Sequence, residues 1–279
     1  MRQSKRNMNA LAYAILILGA LLILFPLYIT VITTFKTSGE SANSFFTLPQ
    51  SLYFGNYQEV LKNPTLGYAY RNTIYITFLS LLLELVVMPP MSFALSRGMY
   101  HGSKVFKGLY FFFLLGIFLP FQVRMMPLVK LLSALNMMNP TGMVLLYLAH
   151  ATCESMFLYV GYLASISPSL EEAAYIDGAT TAQTFYRIIF PLMRPILATV
   201  MIREGLAIWN DYMLPLLCLN RSNTMWTLTL FQYNFQSEFN VDYNLAFSCL
   251  VLASLPIIVL YCFMQKQIIG GLTNGAVKG

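Results

Sequence analysis

The chain has 279 residues, of which 57% are hydrophobic and only 10% are charged, and its mean hydropathy is +0.62. Soluble domains carry about 25% charged residues, so this composition excludes an ordinary water-soluble globule and predicts a chain that buries apolar surface in lipid. The formal net charge of +6 comes from basic residues scattered at the ends of apolar runs. These basic residues do not form the dense stripe that neutralises phosphates, so they do not indicate a nucleic-acid partner.

Six apolar stretches follow one another along the chain, and each is long enough for a transmembrane helix, which takes roughly 20 residues. They cover residues 10–35, 70–95, 106–131, 141–164, 192–217 and 244–265. Because these runs are continuously apolar, helices are favoured over a β-barrel, and prolines such as Pro120 are tolerated in membrane helices. The sequence therefore predicts an all-α membrane protein with about six transmembrane helices in a single domain, 1–279.

The first apolar run follows a basic N-terminal segment that contains Arg2, Lys5 and Arg6. This run, 11–32, is longer than the apolar region of a signal peptide, and no A-x-A-like site follows it. We therefore expect it to be retained as the first span.

Basic residues mark one side of the predicted bundle as cytoplasmic. They lie at the N-terminus, after the second span, around the start of the fifth and after the sixth: Arg97, Lys104, Lys107, Arg187, Arg194, Lys266 and Lys278. On the opposite side, segments 36–69 and 218–243 contain acidic residues whose charge offsets that of the basic residues there. The positive-inside rule then predicts that both termini are cytoplasmic.

The segment 165–191 is the predicted cytoplasmic loop between the fourth and fifth spans. The Ser-Pro pair at 167–168 marks a helix start, and Ser169 with Glu172 fits a capping box. Gly178 stands where a C-terminal cap is expected. A first short helix is therefore predicted over 169–177.

A second short helix is predicted to follow, capped by Thr180 or Thr181 and running into Pro191. Its apolar residues recur at helical spacing and are expected to anchor it on the bundle: Phe185, Ile188, Ile189 and Leu192.

The first helix of this loop combines small residues with carboxylates. Ala173 and Ala174 leave room for another surface to approach, and Glu171 and Glu172 lie in the first turn, where the helix dipole favours negative charge. Two interpretations stay open from the residues alone. The loop is either a capped connection between spans or a plug, with exposed carboxylates, for a groove in a partner.

The same loop resembles the EAA motif of ABC importer permeases. The match runs through Glu172-Ala173-Ala174, three residues, Gly178, nine residues and then Ile188-Ile189-Phe190-Pro191. The family usually has Leu where this chain has Phe190. The resemblance implies the MetI-like fold of type I ABC importers, in which this loop is a coupling helix seated in an ATPase subunit. The implied ATPase-coupling residues are Glu171, Glu172, Ala173, Ala174, Asp177, Gly178 and Pro191.

Two further segments are similar to the maltose-type (MalG-like) permeases of carbohydrate importers. One is Trp209-Asn210-Asp211 followed by Pro215-Leu216, and the other is the C-terminal ending 271–279. In that family the tail reaches between the two ATPase subunits, which implies contacts from Thr273, Asn274, Gly275 and Lys278. Composition alone would favour a frayed terminus here.

Ionisable and polar residues lie within or near the predicted spans, where a charge costs several kcal/mol and so faces the bundle or a watery path. They are Glu84, Gln122, Arg124, Glu154, Arg203, Glu204, Asn210 and Asp211, with Asn72 and Trp209 as weaker candidates. Glu154 is expected to neutralise Arg203. Two interpretations stay open: the residues line a translocation path, or they form a polar network between helices or with a second permease subunit.

The resemblance implies a permease subunit of an ATP-driven sugar or oligosaccharide importer in a bacterial inner or plasma membrane. Its implied partners are a homologous second permease, two ATPase subunits, an extracytoplasmic sugar-binding protein and membrane lipid. ATP and Mg²⁺ would bind the ATPase, so we expect no cofactor and no metal on this chain. Segment 218–243, with Trp226 and Tyr233, is expected to contact the binding protein.

Other function classes have weaker support in the sequence. No GxxxxGK[ST] motif occurs, no CxxC pair relates the four cysteines, and no acid–base cluster is visible, so we expect a non-catalytic chain. A self-sufficient secondary carrier or channel remains an alternative, as does an ABC permease for a non-sugar solute such as glycerol phosphate.

Overall fold

The computed structural model describes the backbone of residues 2–238 and 242–276, and the side chains of residues 12–234 and 242–259. The described residues form helices and loops without a β-strand. The longer helices are α1 (Arg2–Thr34), α4 (Pro64–Tyr100), α5 (Lys104–Ile117), α6 (Phe121–Ala134), α7 (Pro140–Leu163), α11 (Arg194–Asn210), α13 (Leu228–Glu238) and α14 (Tyr243–Ala276). The shorter ones are α2 (Ser38–Asn43), α3 (Gly55–Lys62), α8 (Ser169–Ile176), α9 (Thr181–Thr184), α10 (Phe190–Leu192) and α12 (Met213–Leu219).

Three of these helices are long and apolar enough to cross a membrane. They are 12–34 within α1, then α4 and α7. The bent pairs α5–α6 and α9/α10–α11 bring the number to five if each pair is one span. The predicted span 244–265 lies in α14. The part of α14 with described side chains, Tyr243–Val259, is a shorter apolar helix. The all-helical prediction with several membrane helices is confirmed.

The prediction of one continuous helix over 106–131 is wrong. α5 ends at Ile117, α6 begins at Phe121, and the two axes are bent by 103°. Pro120 is the residue before α6, and a proline restricts the preceding residue to extended backbone and removes an amide donor. Pro89 and Pro90, by contrast, lie inside the continuous α4.

The predicted span 192–217 is also not a single helix. α11 ends at Asn210 because Asp211 adopts extended backbone, with φ −67° and ψ 130°. The carboxylate of Asp211 then accepts hydrogen bonds from the amides of Met213 at 2.9 Å and Leu214 at 3.5 Å. Asp211 therefore stops α11, and its carboxylate accepts the first two amides of α12 from the position before the N-cap residue, Tyr212.

The chain packs as two compact units, one formed by Met1–Leu66 with Phe231–Pro256 and the other by Gly67–Leu230 with Ile257–Gly279. The single-domain prediction stays a prediction. The larger unit has two apolar cores along α7. One surrounds Met156, Tyr159 and Leu163 near the end of α7, and the other surrounds Met143 and Tyr147 near its start.

The smaller unit is organised around Lys36, whose side chain is 0% exposed. Its ammonium donates to the carbonyls of Ser44 at 2.9 Å and Phe45 at 3.2 Å. The Lys36 carbonyl accepts amide hydrogens from Asn56 at 2.8 Å and Asn244 at 2.6 Å. Burial lowers the pKa of Lys36, and the nearby Glu40 carboxylate opposes that shift. One lysine thus joins the end of α1, the loop after α2, helix α3 and the start of α14.

Candidate functional site

The first short helix of the predicted loop is present as α8. Its last residue is Ile176 and Asp177 is its C-cap. Gly178 follows with φ +78°. The amide of Gly178 donates to the Tyr175 carbonyl at 3.1 Å, and that of Ala179 donates to the Ala174 carbonyl at 2.9 Å. This pair of bonds is the Schellman motif, which needs a left-handed residue and so favours glycine. The expected role of Gly178 as a helix terminator is confirmed.

The predicted capping box at Ser169 is wrong. Ser169 is already the first residue of α8, and Pro168 is the N-cap residue. The ring of Pro168 has no hydrogen-bond acceptor, so it makes no side-chain cap. The hydroxyl of Ser167 instead accepts the amide of Ser169 at 3.3 Å.

The second part of the loop begins with a capping box at Thr180. The Thr180 hydroxyl accepts the amide of Gln183 at 3.3 Å, and the Gln183 side chain accepts the amide of Thr180 at 2.8 Å. This confirms Thr180 as one of the two predicted caps. After α9 the chain makes a π-helical turn over Phe185–Ile189 and then the short α10, in which Pro191 is half-buried.

The π-helical turn changes which residues anchor this segment. Phe185 and Ile189 are buried, as predicted, whereas Leu192 is 43% exposed. The buried position is taken by Met193. A π turn contains more residues per turn than an α-helix, so the apolar side moves one residue along the chain. The prediction for Leu192 is therefore wrong.

Helix α8 has an inward side and an outward side. Glu171 and Ala174 are buried, so the expectation that they are exposed is wrong. Residues three apart share one side of a helix, and these two face the protein. Glu172 and Ala173 are exposed, and Ile176 is 86% exposed. We call Glu172, Ala173 and Ile176 the outward face of α8.

Glu171 is held by Arg97 of α4. Nε of Arg97 lies 2.6 Å from Oε1 of Glu171, and the two residues are 74 positions apart in the chain. The sequence indicates Arg97 only as a basic residue of the predicted cytoplasmic side, since a long-range ion pair leaves no local signal in the sequence. Ile176 was also missed, although helical spacing from Glu172 would have placed it on the same side.

The ionisable residues of the spans form a polar cluster between three helices of the larger unit. Arg203 of α11 makes ion pairs with Glu154 of α7 and, at 3.2 Å, with Glu204. The hydroxyl of Ser155 donates to the buried Glu84 of α4. The predicted neutralisation of Arg203 by Glu154 is confirmed. These contacts favour the interpretation as an interhelical network for Glu84, Glu154, Arg203 and Glu204.

Asp211 and Asn210 also form bonds inside the chain. The Tyr147 hydroxyl donates to Asp211 at 2.8 Å, and the exposed Asn210 donates to the Leu206 carbonyl of its own helix at 2.8 Å. Asn72 is buried and donates to the carbonyls of Thr224 and Trp226 at 2.9 and 3.0 Å. Asn72 therefore orients the segment before α13, and its place as a weaker path candidate stays a prediction.

Gln122 and Arg124 lie just after the break between α5 and α6. Gln122 is exposed, and Arg124 is half-buried. The Nε atom of Arg124 is buried without a hydrogen-bond partner in the described structure. No ion pair of the described residues joins Arg124 to the Arg203 cluster, and the path interpretation stays open for Gln122 and Arg124.

The tail residues Thr273, Asn274 and Gly275 have helical backbone at the end of α14, and their side chains lie outside the described residues. Lys278 lies wholly outside them. The tail contact stays a prediction. The expected contact of Tyr233 with the binding protein also stays a prediction. Segment 218–243 includes helix α13, and Trp226 is half-buried.

Residues 90–272 match the family described as binding-protein-dependent transport system inner membrane component. The multiple sugar-binding transport system permease protein MsmG of Streptococcus mutans is 42% identical over 267 residues, which cover 95% of this chain and 96% of that protein. The probable starch degradation products transport system permease protein AmyC of Thermoanaerobacterium thermosulfurigenes is 33% identical, covering 98% of this chain and 99% of that protein.

Among solved structures, the chain is similar in fold to part of a bacterial ABC transporter that imports the acidic polysaccharide alginate. The TM-score is 0.83 at 23% identity, covering 94% of this chain and 97% of that one. A second match, at TM-score 0.69 and 18% identity, covers 92% of this chain and 94% of the other. It belongs to the alginate transporter in complex with a periplasmic protein bound to alginate pentasaccharide.

Proposed function

The chain belongs to the inner membrane components of binding-protein-dependent transport systems and is thus a multi-pass ABC importer permease, and from this premise we propose that its cargo is a sugar or oligosaccharide. The proposal is supported by the two curated relatives described above, one named for multiple sugars and the other for starch degradation products. Both align with nearly the whole chain, so the similarity includes the spans that would surround the cargo.

The outward face of α8 is the proposed ATPase contact, and it is the observation that carries the proposed mechanism. Ile176, at 86% exposure, offers a large apolar side chain next to the carboxylate of Glu172. Ala173 between them leaves room for close approach. Such an apolar side chain could fill a pocket on the ATPase, and the adjacent carboxylate would add electrostatic specificity.

The rest of the loop would transmit the movement of the ATPase subunits. The Gly178 turn joins α8 to the segment 181–192, whose buried Phe185 and Ile189 pack in the core with Met193, at the start of α11. A push on α8 would reach α11 through this packed connection. ATP and Mg²⁺ would bind the ATPase subunits, and this chain would be non-catalytic.

The other partners follow from the same proposal. Most side chains of the span 12–34 are exposed in the isolated chain, which leaves them for lipid or for a second permease subunit. The positive-inside rule supports cytoplasmic termini, and segment 218–243 would then face an extracytoplasmic sugar-binding protein. Thr273, Asn274, Gly275 and Lys278 would add a second ATPase contact.

The experiment is uptake of a labelled oligosaccharide by proteoliposomes that contain this chain with its second permease, ATPase and binding protein. We expect uptake only when ATP and the ATPase are both present. Glu172→Lys and Ile176→Asp should reduce co-purification of the ATPase at least tenfold, while the permease still inserts.

The matched control is Glu59→Lys, which reverses an exposed carboxylate on the predicted opposite side of the membrane and should leave the ATPase bound. Uptake by this chain without any ATPase would contradict the importer proposal and favour a self-sufficient carrier. Uptake of glycerol phosphate in preference to any oligosaccharide would contradict the proposed cargo alone.

A further inference from the structure

The side chain of Arg97 contacts groups at the end of α7 and in the first part of the predicted cytoplasmic loop. Its Nε atom contacts Glu171 at 2.6 Å, and Nη1 and Nη2 donate to the carbonyls of Leu163 and Ile166, each at 3.2 Å. The side chains of Arg97 and Glu171 are only 10% and 8% exposed. A guanidinium presents its donors in a rigid, planar fork, so these three acceptors fix its orientation.

We propose that Arg97 is a positioning residue that joins the coupling helix to α4, so that movement of α8 enters the membrane through α4 as well as through α11. This inference rests on the proposed function, because it assigns a second route to the movement that the ATPase would impose on α8.

The connectivity of the chain shows why such a bond matters. Helix α8 continues backward into α7 and forward into α11 through short segments, but 74 positions separate Glu171 from Arg97. Without a side-chain bond, α4 would follow α8 only through apolar packing. A charge-assisted hydrogen bond is directional and shorter than a neutral one, so it transmits displacement and rotation together.

An aromatic contact reinforces the same junction. The Arg97 guanidinium lies 5.8 Å from the ring centroid of Phe93, one turn earlier in α4. Phe93 in turn packs against Phe185 of the π-helical turn, with ring centroids 5.1 Å apart. Both halves of the loop therefore touch the same end of α4, one through Glu171 and the other through Phe185.

Helix α4 can carry the movement far into the bundle. It has 37 residues and is therefore roughly 55 Å long at 1.5 Å per residue. Glu84, on the same helix, accepts the hydroxyl of Ser155 in α7. A displacement of the Arg97 end would reach this contact, which lies about 20 Å deeper by the same rise per residue.

The two carboxylates of the first turn of α8 thus have separate tasks. Glu172 points outward and is available to a partner, whereas Glu171 points inward and holds α8 to α4. This division predicts that changes at the two positions differ in kind. Changes at Glu172 should weaken ATPase binding, and changes at Arg97 or Glu171 should leave binding intact but lower the uptake obtained per ATP.

The test uses the assembled complex in proteoliposomes with binding protein and labelled oligosaccharide. The variants are Arg97→Lys, Glu171→Gln and the exchange Arg97→Glu with Glu171→Arg. Three quantities are measured: ATPase co-purification, ATP hydrolysis and oligosaccharide uptake. We expect Arg97→Lys and Glu171→Gln to retain the ATPase and to lower uptake per ATP at least fivefold. The exchange should recover part of that loss, because it restores the ion pair but not the two carbonyl contacts.

Each other outcome is decisive. Unchanged uptake per ATP in both single variants would overturn the inference and leave the proposed function standing. Loss of the ATPase in Arg97→Lys would also overturn it, since Arg97 would then only maintain the binding surface. If a single variant does not assemble, the exchanged pair is the deciding variant. Failure of the exchanged pair to recover uptake per ATP would then contradict the inference. Failure of the unaltered complex to take up oligosaccharide would instead contradict the proposed function.

Discussion

The hydroxyl of Tyr147 donates a 2.8 Å hydrogen bond to Asp211, which follows the last residue of α11 and accepts the first amides of α12. The backbone carbonyl of Asp211 also accepts the hydroxyl of Thr229 at 2.6 Å. Asp211 is therefore bonded to α7, to α12 and to the first turn of α13. Asp211 thus holds the turn after α11 through both its carboxylate and its backbone carbonyl.

We expect Tyr147→Phe to destabilise the folded permease by roughly 2 kcal/mol, because a hydrogen bond to a carboxylate is lost in a partly buried setting. The measurement is the thermal unfolding midpoint of the detergent-solubilised complex. Tyr75→Phe is the matched control, since the Tyr75 hydroxyl pairs with Thr141 at an exposed site and its loss should cost well under half as much. Equal midpoint shifts for the two variants would contradict the assigned role of Asp211.

The ion pairs of Arg203 lead to a prediction about folding. Arg203→Gln should destabilise the bundle by about 1–2 kcal/mol, the upper range for interhelical polar contacts in membranes, because Glu154 and Glu204 lose their shared partner. The side chains of Arg203 and Glu154 are 44% and 36% exposed, which limits the effect. The yield of inserted, folded protein measures it.

Arg124→Gln is the control for Arg203→Gln, because no described carboxylate lies within ion-pair distance of Arg124. It should leave the yield unchanged. A normal yield for Arg203→Gln, accompanied by an altered preference among oligosaccharides, would instead support the translocation-path interpretation of this cluster.

The left-handed backbone of Gly178 gives a prediction for the loop. Gly178→Ala should cost about 1–2 kcal/mol, the usual penalty of a side chain in this conformation. Steric crowding is not the cause, since a Cβ atom there would meet nothing within 4 Å. Gly178→Asn should be better tolerated than Gly178→Ala, because asparagine adopts the left-handed region more readily. Limited proteolysis across 165–191 would report both effects.

Gly161 provides the matched control for Gly178. It lies in α7 with open space at its Cβ position and without a positive φ, so Gly161→Ala should be neutral or stabilising by up to about 1 kcal/mol. A proteolysis rate that rises equally in the Gly178→Ala and Gly161→Ala variants would show that backbone conformation is not the reason.

The parts of the fold that the sequence predicted well depend on local signals. The fourth span was predicted over 141–164, and α7 runs over Pro140–Leu163 with Asn139 as its cap. Gly178 and Thr180 were predicted because capping chemistry acts between residues a few positions apart. The helical class and the family resemblance followed from composition and from a motif with fixed spacing.

The parts that were missed depend on interactions that the local sequence does not show. The break at Pro120 was overlooked because prolines also occur inside continuous membrane helices, as Pro89 does in α4. The π-helical turn displaced the anchor from Leu192 to Met193. The inward direction of Glu171 depended on Arg97, a partner that only the folded chain brings into contact.

The buried Lys36 gives the last prediction. Lys36→Met should destabilise the smaller unit by about 2–4 kcal/mol, because the carbonyls of Ser44 and Phe45 would each lose a charged donor and remain partly buried. Limited proteolysis of segment 37–54 in the solubilised complex would measure this loss. Lys62→Met is the control, since Lys62 is exposed in the last turn of α3. In that variant, segment 37–54 should be cleaved at the unaltered rate. If the Lys36 variant resisted proteolysis as well as the control, the contacts of the Lys36 ammonium with the two carbonyls would contribute little. The hydrogen bonds from the side-chain amides of Asn56 and Asn244 to the Lys36 carbonyl would then hold the segment alone.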